Sequence, residues 1–149
     1  MRNINRIVIH CSATPEGRDV TVEEIRGWHK ARGFKDIGYH YVIDASGELH
    51  KGRAVELAGA HAQGYNAESI GICYVGGLER VTNKPMDTRT QAQQNTLSML
   101  VNFLRLIYPI KHIDGHRDLS VDLNGDGVIT PKEWMKSCPC FEVHSEFPI

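Results

Sequence analysis

The chain has 149 residues, of which 41% are hydrophobic, so it has the size of one domain and enough apolar side chains to bury a core without disulfide staples. Its 17 basic and 18 acidic residues give a formal net charge of −1, and no long block of one sign stands out. This balance argues against nucleic acid or an anionic membrane as the main partner.

The sequence contains no obvious membrane or export segment. No stretch approaches the roughly 18 apolar residues of a spanning helix, and the N-terminal apolar run is short and broken by His10, unlike a secretory signal. We therefore expect synthesis in the cytoplasm without membrane insertion. The four cysteines lack the spacing of a disulfide scaffold, so free thiols or metal ligands are their expected roles.

The first half of the chain predicts strands separated by a helix. Ile4 to His10 is rich in β-branched residues and predicts a strand that ends at the histidine. From Thr21 to Gly33, a capping-box spacing followed by apolar residues at helical intervals predicts an amphipathic helix. Residues 39–44 predict a second strand, and residues 48–51 are predicted to pair back on it as a β-hairpin.

The second half predicts the centre of the sheet and the longest helix. Ser69 to Val75 is almost wholly apolar and predicts a buried central strand. From Thr90 to Tyr108, apolar residues share one helical face until Pro109, and Ile110 to Ile113 predicts a last strand. The alternation of strands and helices predicts one α/β domain over residues 1–149, with a mixed central β-sheet flanked by helices.

Three potential metal ligands are widely separated in the sequence. His10 ends the first predicted strand, His116 lies in GHRD after the last one, and Cys138 opens CPC. Zinc hydrolases commonly use three protein ligands and leave a fourth position open. Loops at strand ends can bring such residues together, but spacing alone leaves structural roles open for each of them.

Six short motifs then occur in one order: HCSAT at 10–14, GYH at 38–40, HAQGYN at 61–66, SIGIC at 69–73, GHRD at 115–118 and KSCP at 136–139. In this order they resemble the N-acetylmuramoyl-L-alanine amidases of the phage-lysozyme type, relatives of the peptidoglycan recognition proteins. The resemblance covers nearly the entire chain. It implies the amidase fold and a zinc-dependent hydrolase that acts on peptidoglycan.

The zinc ligands that this resemblance implies are His10, His116 and Cys138. It also implies catalytic roles for Tyr39 and Lys136, and a phenol or an ammonium beside Zn²⁺ can stabilise the charge that develops on an attacked carbonyl. Tyr39 can instead orient or deprotonate the attacking water. The alternatives are a half-buried strand aromatic for Tyr39 and a solvated lysine for Lys136. Cys140 falls where the family has no ligand.

His61 and Asn66 match the stretch that lines the substrate cleft in the family, so the resemblance implies substrate binding for both. The alternative is that Asn66 builds the turn and that His61 is a structural histidine, or one that supports a ligand. The other histidines are expected to be structural or exposed. Strand alternation predicts that His40 faces away from Tyr39, on the other side of the sheet.

The chain departs from the family between His116 and Cys138, where DLNGDGVITPKE at 122–133 replaces a shorter connection. This segment matches the calcium-loop pattern, with Gly127 at the sharp turn and Thr130 as a direct or water-mediated contact. The candidate calcium ligands are Asp122, Asn124, Asp126, the carbonyl of Val128, and Glu133. A metal-free Asp/Asn/Gly turn is the alternative, since no helix is predicted before the loop.

The resemblance thus implies a Zn²⁺-dependent amidase that cuts between the lactyl group of N-acetylmuramic acid and L-alanine, and the loop at 122–133 makes Ca²⁺ a candidate second ion. Its expected partner is peptidoglycan, as a muramyl peptide, bound by a monomer without nucleic acid. It is expected to reach the bacterial cell wall as a phage or prophage endolysin, or by export through another route. A non-catalytic peptidoglycan-binding protein is the alternative, against which Cys138 argues, since recognition relatives lack the cysteine ligand.

Overall fold

The computed structural model describes residues 1–149 and consists of strands, helices and three short 3₁₀ turns. The strands are β1 (Arg6–Cys11), β2 (Thr14–Pro15), β3 (Tyr41–Ile43), β4 (Leu49–Lys51), β5 (Ser69–Tyr74), β6 (Gly77–Leu78) and β7 (His112–Gly115). The helices are α1 (Val22–Ala31), α2 (Gln91–Ile107) and α3 (Val143–Glu146). The 3₁₀ turns lie at Asn66–Glu68, His116–Leu119 and Pro131–Glu133. None of the helices has both the length and the apolar character needed to cross a lipid bilayer.

Five strands form one mixed sheet in the order β4-β3-β5-β1-β7. The β3–β4 hairpin is antiparallel, whereas β3, β5, β1 and β7 pair in parallel. The two shortest strands, β2 and β6, form a separate parallel pair. The predicted α/β fold with a mixed central sheet flanked by helices is confirmed.

The core lies on both faces of this sheet because its central strands are buried on both sides. β5 lies between β3 and β1 and is buried along its whole length, which explains its nearly continuous apolar sequence. On one face, Ile7 and Ile9 of β1 pack with the apolar stripe of α2, which includes the fully buried Leu104. The other face carries a smaller cluster, Val20, Ile25, Ile37, Val42 and Val75, packed with α1. Alternation along β1 turns His10 towards this second face.

Side-chain caps fix where the two long helices begin. The Thr21 hydroxyl accepts the backbone N–H of Glu24 at 3.1 Å at the start of α1. At α2 the capping box is complete, since Thr90 accepts from the Gln93 backbone and the Gln93 side chain accepts from the Thr90 backbone. Each bond satisfies an N–H group that has no partner within the helix.

The predicted boundaries of the last strand differ from the structure. The strand runs from His112 to Gly115, whereas the apolar segment Ile110–Ile113 suggested an earlier start. The backbone N–H groups of Lys111 and His112 both donate to the carbonyl of Asn5, so the chain is still joining the sheet at this point. The later strand end places His116 directly after β7.

Candidate metal centre and active site

Two histidines meet at the edge of the sheet formed by the carboxyl ends of β1 and β7. These strands are parallel neighbours, and Ile9 of β1 lies opposite Gly115 of β7. His10 follows Ile9 and His116 follows Gly115, so the two histidines lie side by side. Their ring centroids are 4.6 Å apart. Cys138 completes the group, and one ligand atom from each of the three residues lies within 4.8 Å of the others. Two imidazoles and a thiol are a donor set that suits zinc.

Cys138 is held in this group by hydrogen bonds to β1, to β5 and to the 3₁₀ turn that follows β7. The backbone N–H of Arg117 donates to the Cys138 carbonyl at 2.8 Å, and the backbone N–H of Cys11 donates to its sulfur at 3.2 Å. The Tyr74 hydroxyl donates to the carbonyl of Pro139 at 2.6 Å. Gly115 permits this packing, since a Cβ there would lie 2.7 Å from the Pro139 ring.

Burial keeps the imidazoles of the site neutral. It lowers the pKa of His10 well below the ordinary value, and the neighbouring rings of His61 and His116 add to the effect. Burial and then the positive charge of Lys136 lower the pKa of His116 to about 4. Because a metal binds the unprotonated nitrogen of an imidazole, both side chains are in the ligand form at neutral pH.

The two residues with predicted catalytic roles flank the metal group. The half-buried ring of Tyr39 lies 5.0 Å from the His10 ring, centroid to centroid. Burial, reinforced by the nearby thiols of Cys73 and Cys138, raises the pKa of the Tyr39 phenol well above its ordinary value, so this group is a hydrogen-bond donor. Lys136 is exposed, two residues before Cys138.

His61 contacts the proposed ligand His10, and Asn66 supports the loop that carries His61. Nδ1 of His61 lies 2.9 Å from Nε2 of His10, and Nε2 of His61 lies 3.2 Å from the Ser69 hydroxyl. The side-chain oxygen of Asn66 accepts the backbone N–H groups of His61 and Ala62, each at 2.9 Å. Asn66 therefore builds the turn that carries His61, as the alternative interpretation of the sequence proposed.

His40 lies beside the site, contrary to the expectation that it faces away. Its ring meets the His61 ring edge-on at a centroid distance of 5.8 Å, and its Nδ1 accepts the backbone N–H of Gly71 at 3.0 Å. The alternation argument was wrong because β3 begins only at Tyr41, after His40. Sequence reasoning thus missed a contact between two histidines far apart in the chain.

Cys140 lies outside the ligand group, next to another thiol that the sequence did not single out. Its sulfur is 4.0 Å from the Cys11 sulfur and donates to the carbonyl of Gly77 at 3.4 Å. A hydrogen bond to Cys138 is the main cause that raises the pKa of the Cys11 thiol to about 12. The position of Cys11, directly after His10, was the available sequence signal for its proximity.

The segment 122–133 gathers carboxylates. Carboxylate oxygens of Asp122, Asp126 and Glu133 lie within 4.8 Å of one another. The predicted ligands Asn124 and Val128 lie in the same loop, where Asn124 accepts the backbone N–H of Asp126 and Val128 donates its own to the Asp126 carboxylate. 3₁₀ turns, rather than α-helices, precede this loop and close it, so no helix–loop–helix hand is formed.

The chain resembles known proteins over most of its length. The profile of the N-acetylmuramoyl-L-alanine amidase family matches residues 1–140. The endolysin of Enterobacteria phage K11 is 36% identical over 139 residues, which cover 93% of this chain and 82% of the phage protein.

Solved structures agree with this match. The N-acetylmuramoyl-L-alanine amidase LysC from Clostridium intestinale URNW has a TM-score of 0.74 and 28% identity, with 97% of this chain and 82% of that chain covered. A chain from the complex of tracheal cytotoxin with the peptidoglycan recognition proteins LCa and LCx has a TM-score of 0.71 and 25% identity, with 99% and 84% covered. The chain therefore belongs to the N-acetylmuramoyl-L-alanine amidase family, which is related to the peptidoglycan recognition proteins.

Proposed function

We propose that the protein is a zinc-dependent N-acetylmuramoyl-L-alanine amidase that hydrolyses the bond between the lactyl group of N-acetylmuramic acid and L-alanine. The observation that carries this proposal is the convergence of His10, His116 and Cys138, with ligand atoms within 4.8 Å of one another. Zinc held by these residues supplies Lewis acidity, which polarises an amide carbonyl and promotes the ionisation of water.

Tyr39 and Lys136 supply the remaining chemistry in this proposal. The protonated phenol of Tyr39, beside His10, donates a hydrogen bond to the amide oxygen as negative charge develops there, or orients the attacking water. The ammonium group of Lys136 adds a positive charge at the exposed side of the site. The water oxygen first bonds to the carbonyl carbon, which places the negative charge on the amide oxygen. The C–N bond then breaks, the carbonyl forms again, and the L-alanine nitrogen takes up the proton that the water loses.

The substrate is peptidoglycan, presented as a muramyl peptide, and the site of action is the bacterial cell wall. Support comes from the relatedness to a phage endolysin and from the fold shared with a chain of the tracheal cytotoxin complex. A monomer suffices, because all three proposed ligands come from one chain. The presence of Cys138 in the ligand group favours hydrolysis over non-catalytic binding.

Metal analysis combined with a wall-clearing assay tests the proposal. Wild type should hold about one zinc ion per chain and should clear a cell-wall suspension, with release of new L-alanine amino ends. Cys138→Ser should lose both properties, whereas the matched variant Cys140→Ser should keep both. Equal zinc loss in the two variants would refute the ligand assignment, and sedimentation of the protein with an unchanged wall would indicate a binding protein.

We also propose that the segment 122–133 binds one Ca²⁺. Its support is the spacing of the oxygen-bearing residues together with the three gathered carboxylates. The end of the loop is tied to the segment after His116, because the Arg117 guanidinium stacks on Trp134 at 4.0 Å and the Ser120 hydroxyl accepts the backbone N–H of Met135. A bound ion would therefore stiffen the connection that leads to Lys136 and Cys138.

Calorimetric titration with Ca²⁺ tests this second proposal. Wild type should bind Ca²⁺ and unfold at a higher temperature in its presence, because an ion that binds only the folded state stabilises it. Glu133→Gln should weaken both effects, and Asp19→Asn, at an exposed position before α1, is the control. If the wild type shows no heat of binding and no thermal shift, the calcium proposal is wrong and the segment is an ordinary metal-free turn.

A further inference from the structure

His61 is held rigidly beside the proposed zinc ligands. The loop that carries it is fixed by Asn66, which accepts two successive backbone N–H groups. The ring packs on Gly71 so closely that an added Cβ there would lie 2.6 Å from its carbon atoms. The His40 ring covers another side of it, edge-on. The position and the orientation of the His61 ring are therefore determined by its neighbours.

Both ring nitrogens of His61 have partners inside the protein. Nδ1 lies 2.9 Å from Nε2 of His10, and Nε2 lies 3.2 Å from the hydroxyl of Ser69. Ser69 is fully buried, and His61 is only 9% exposed. The ring therefore has no nitrogen left to bind a substrate. The family resemblance implies substrate binding for this residue, so the hydrogen bonds favour a different role.

The direction of these hydrogen bonds follows from what metal binding requires of His10. A neutral imidazole carries one proton, and the nitrogen that binds a metal must be the unprotonated one. Because Nε2 of His10 faces His61, Nδ1 is the nitrogen left for a metal. Nε2 of His10 then carries the proton and donates it to Nδ1 of His61. The His61 proton consequently lies on Nε2 and is donated to Ser69.

We infer that His61 is a positioning residue which, together with Ser69, fixes the tautomer and the ring orientation of His10 for zinc binding. This inference rests on the proposed zinc site. A ligand that is already in the correct tautomer and orientation binds the metal without rearrangement. Loss of such a partner weakens metal affinity by about 10- to 100-fold.

The zinc dissociation constant, measured by competition with a chromogenic chelator, tests the inference without an activity assay. His61→Phe keeps a ring of similar shape and removes the acceptor, so its zinc affinity should fall by about 10- to 100-fold. His61→Asn offers an amide oxygen near the position of Nδ1 and should restore most of the affinity. Ser69→Ala should cause a smaller loss than His61→Phe.

His112→Gln is the matched control, because it replaces an exposed histidine on β7 and should bind zinc as wild type does. Equal zinc affinity in wild type and His61→Phe would overturn the inference. Unchanged zinc affinity together with a raised KM at saturating zinc would overturn it in favour of a substrate contact.

Nitrogen NMR of the imidazoles in zinc-loaded wild type provides a test that depends on no variant. The protons of His10 and His61 should both lie on Nε2, and a proton on Nδ1 of His10 would contradict the inference. If His10, His116 and Cys138 hold zinc but His61→Phe binds it equally well, only the role of His61 fails. If the wild type binds no zinc, the proposed function fails.

Discussion

Two glycines of this protein differ in what an added methyl group would meet. At Gly71, a Cβ would lie 2.6 Å from carbon atoms of the His61 ring, and at Gly27, in the middle of α1, it would meet nothing within 4 Å. Gly71 is thus required by the packing of the site, whereas Gly27 carries only the entropic disadvantage of glycine in a helix.

Gly71→Ala should destabilise the protein, because the new methyl group displaces His61 from its contact with His10. The expected loss in the free energy of unfolding is about 1–3 kcal/mol. Gly27→Ala should instead gain about 0.5–1 kcal/mol. Urea denaturation of both variants and wild type gives these values, and equal stability of Gly71→Ala and wild type would show that the His61 ring moves without cost.

Lys136→Ala tests whether this lysine acts in the reaction or is merely solvated. Loss of a group that stabilises developing negative charge typically lowers kcat by about 10²- to 10³-fold, and zinc content should stay unchanged because Lys136 is not in the ligand group. Lys132→Ala removes another exposed lysine, four residues earlier in the chain, and should retain wild-type kcat. Wild-type turnover by Lys136→Ala would support the solvated alternative.

At the scale of single residues, sequence motifs were more informative about the proposed metal ligands than about the residues that hold those ligands in place. The motifs containing His10, His116 and Cys138 allowed the metal group to be predicted, and the structure brings these three together. The bond between His61 and His10 was not predictable in the same way, because it depends on how a loop packs over Gly71 of a neighbouring strand. Such contacts leave no periodic signal in the sequence.

Among the secondary-structure elements, α2 is attached to the sheet through its first turn. The side-chain nitrogen of the buried Gln93 donates to the carbonyl of Val75 at 2.9 Å, while its oxygen accepts the backbone N–H of Thr90. One side chain therefore caps the helix and satisfies a carbonyl just beyond the end of β5. This explains why a polar residue occupies the buried face of the helix.

Gln93→Ala should destabilise the protein by about 1–3 kcal/mol, because it leaves the buried Val75 carbonyl without its donor and breaks the capping box. Gln91→Ala is the control, since Gln91 is exposed in the same turn and bonds only to Asn95. Chemical denaturation measures both changes. Alanine is a slightly better helix former than glutamine, so helix propensity alone predicts no loss in either variant. If Gln93→Ala is as stable as Gln91→Ala, the attachment to the Val75 carbonyl contributes no measurable stability.

Long elements were predictable because many residues contribute to one periodic pattern. The apolar stripe of α2 and the continuous apolar run of β5 were both assigned within one or two residues of their observed ends. The pair β2–β6 and helix α3 were not predicted, since elements of two to four residues are too short to show a period. Their positions depend on tertiary contacts, such as those of α3 with β7, rather than on a local sequence pattern.

For the molecule as a whole, the distribution of histidines matters more than the near-zero net charge. Burial is the leading cause that lowers the pKa of five histidines: His10, His29, His40, His61 and His116. The values fall to about 4 for His40 and to about 3 for His61. An imidazole in the unfolded chain takes up a proton near pH 6.5, so the unfolded state binds protons that the folded state rejects.

This difference predicts that zinc-free protein loses stability on mild acidification. Stability rises with pH wherever the unfolded state binds more protons, so the contribution of these histidines is complete above about pH 6.5 and is lost progressively as the pH falls towards about 4. Each histidine that stays neutral in the folded state adds up to about 1.4 kcal/mol per pH unit to the slope. Urea denaturation at several pH values between about 7.5 and 5 measures this slope.

Two variants test whether buried histidines cause this dependence of the unfolding free energy on pH. His40→Gln removes one of them and should make the slope shallower by up to about 1.4 kcal/mol per pH unit, although its stability at neutral pH also falls because His40 accepts the backbone N–H of Gly71. His112→Gln, at an exposed position, should keep the wild-type slope. A wild-type stability that does not change over this range would mean that the buried rings admit protons without unfolding, which the packing around His40 and His61 argues against.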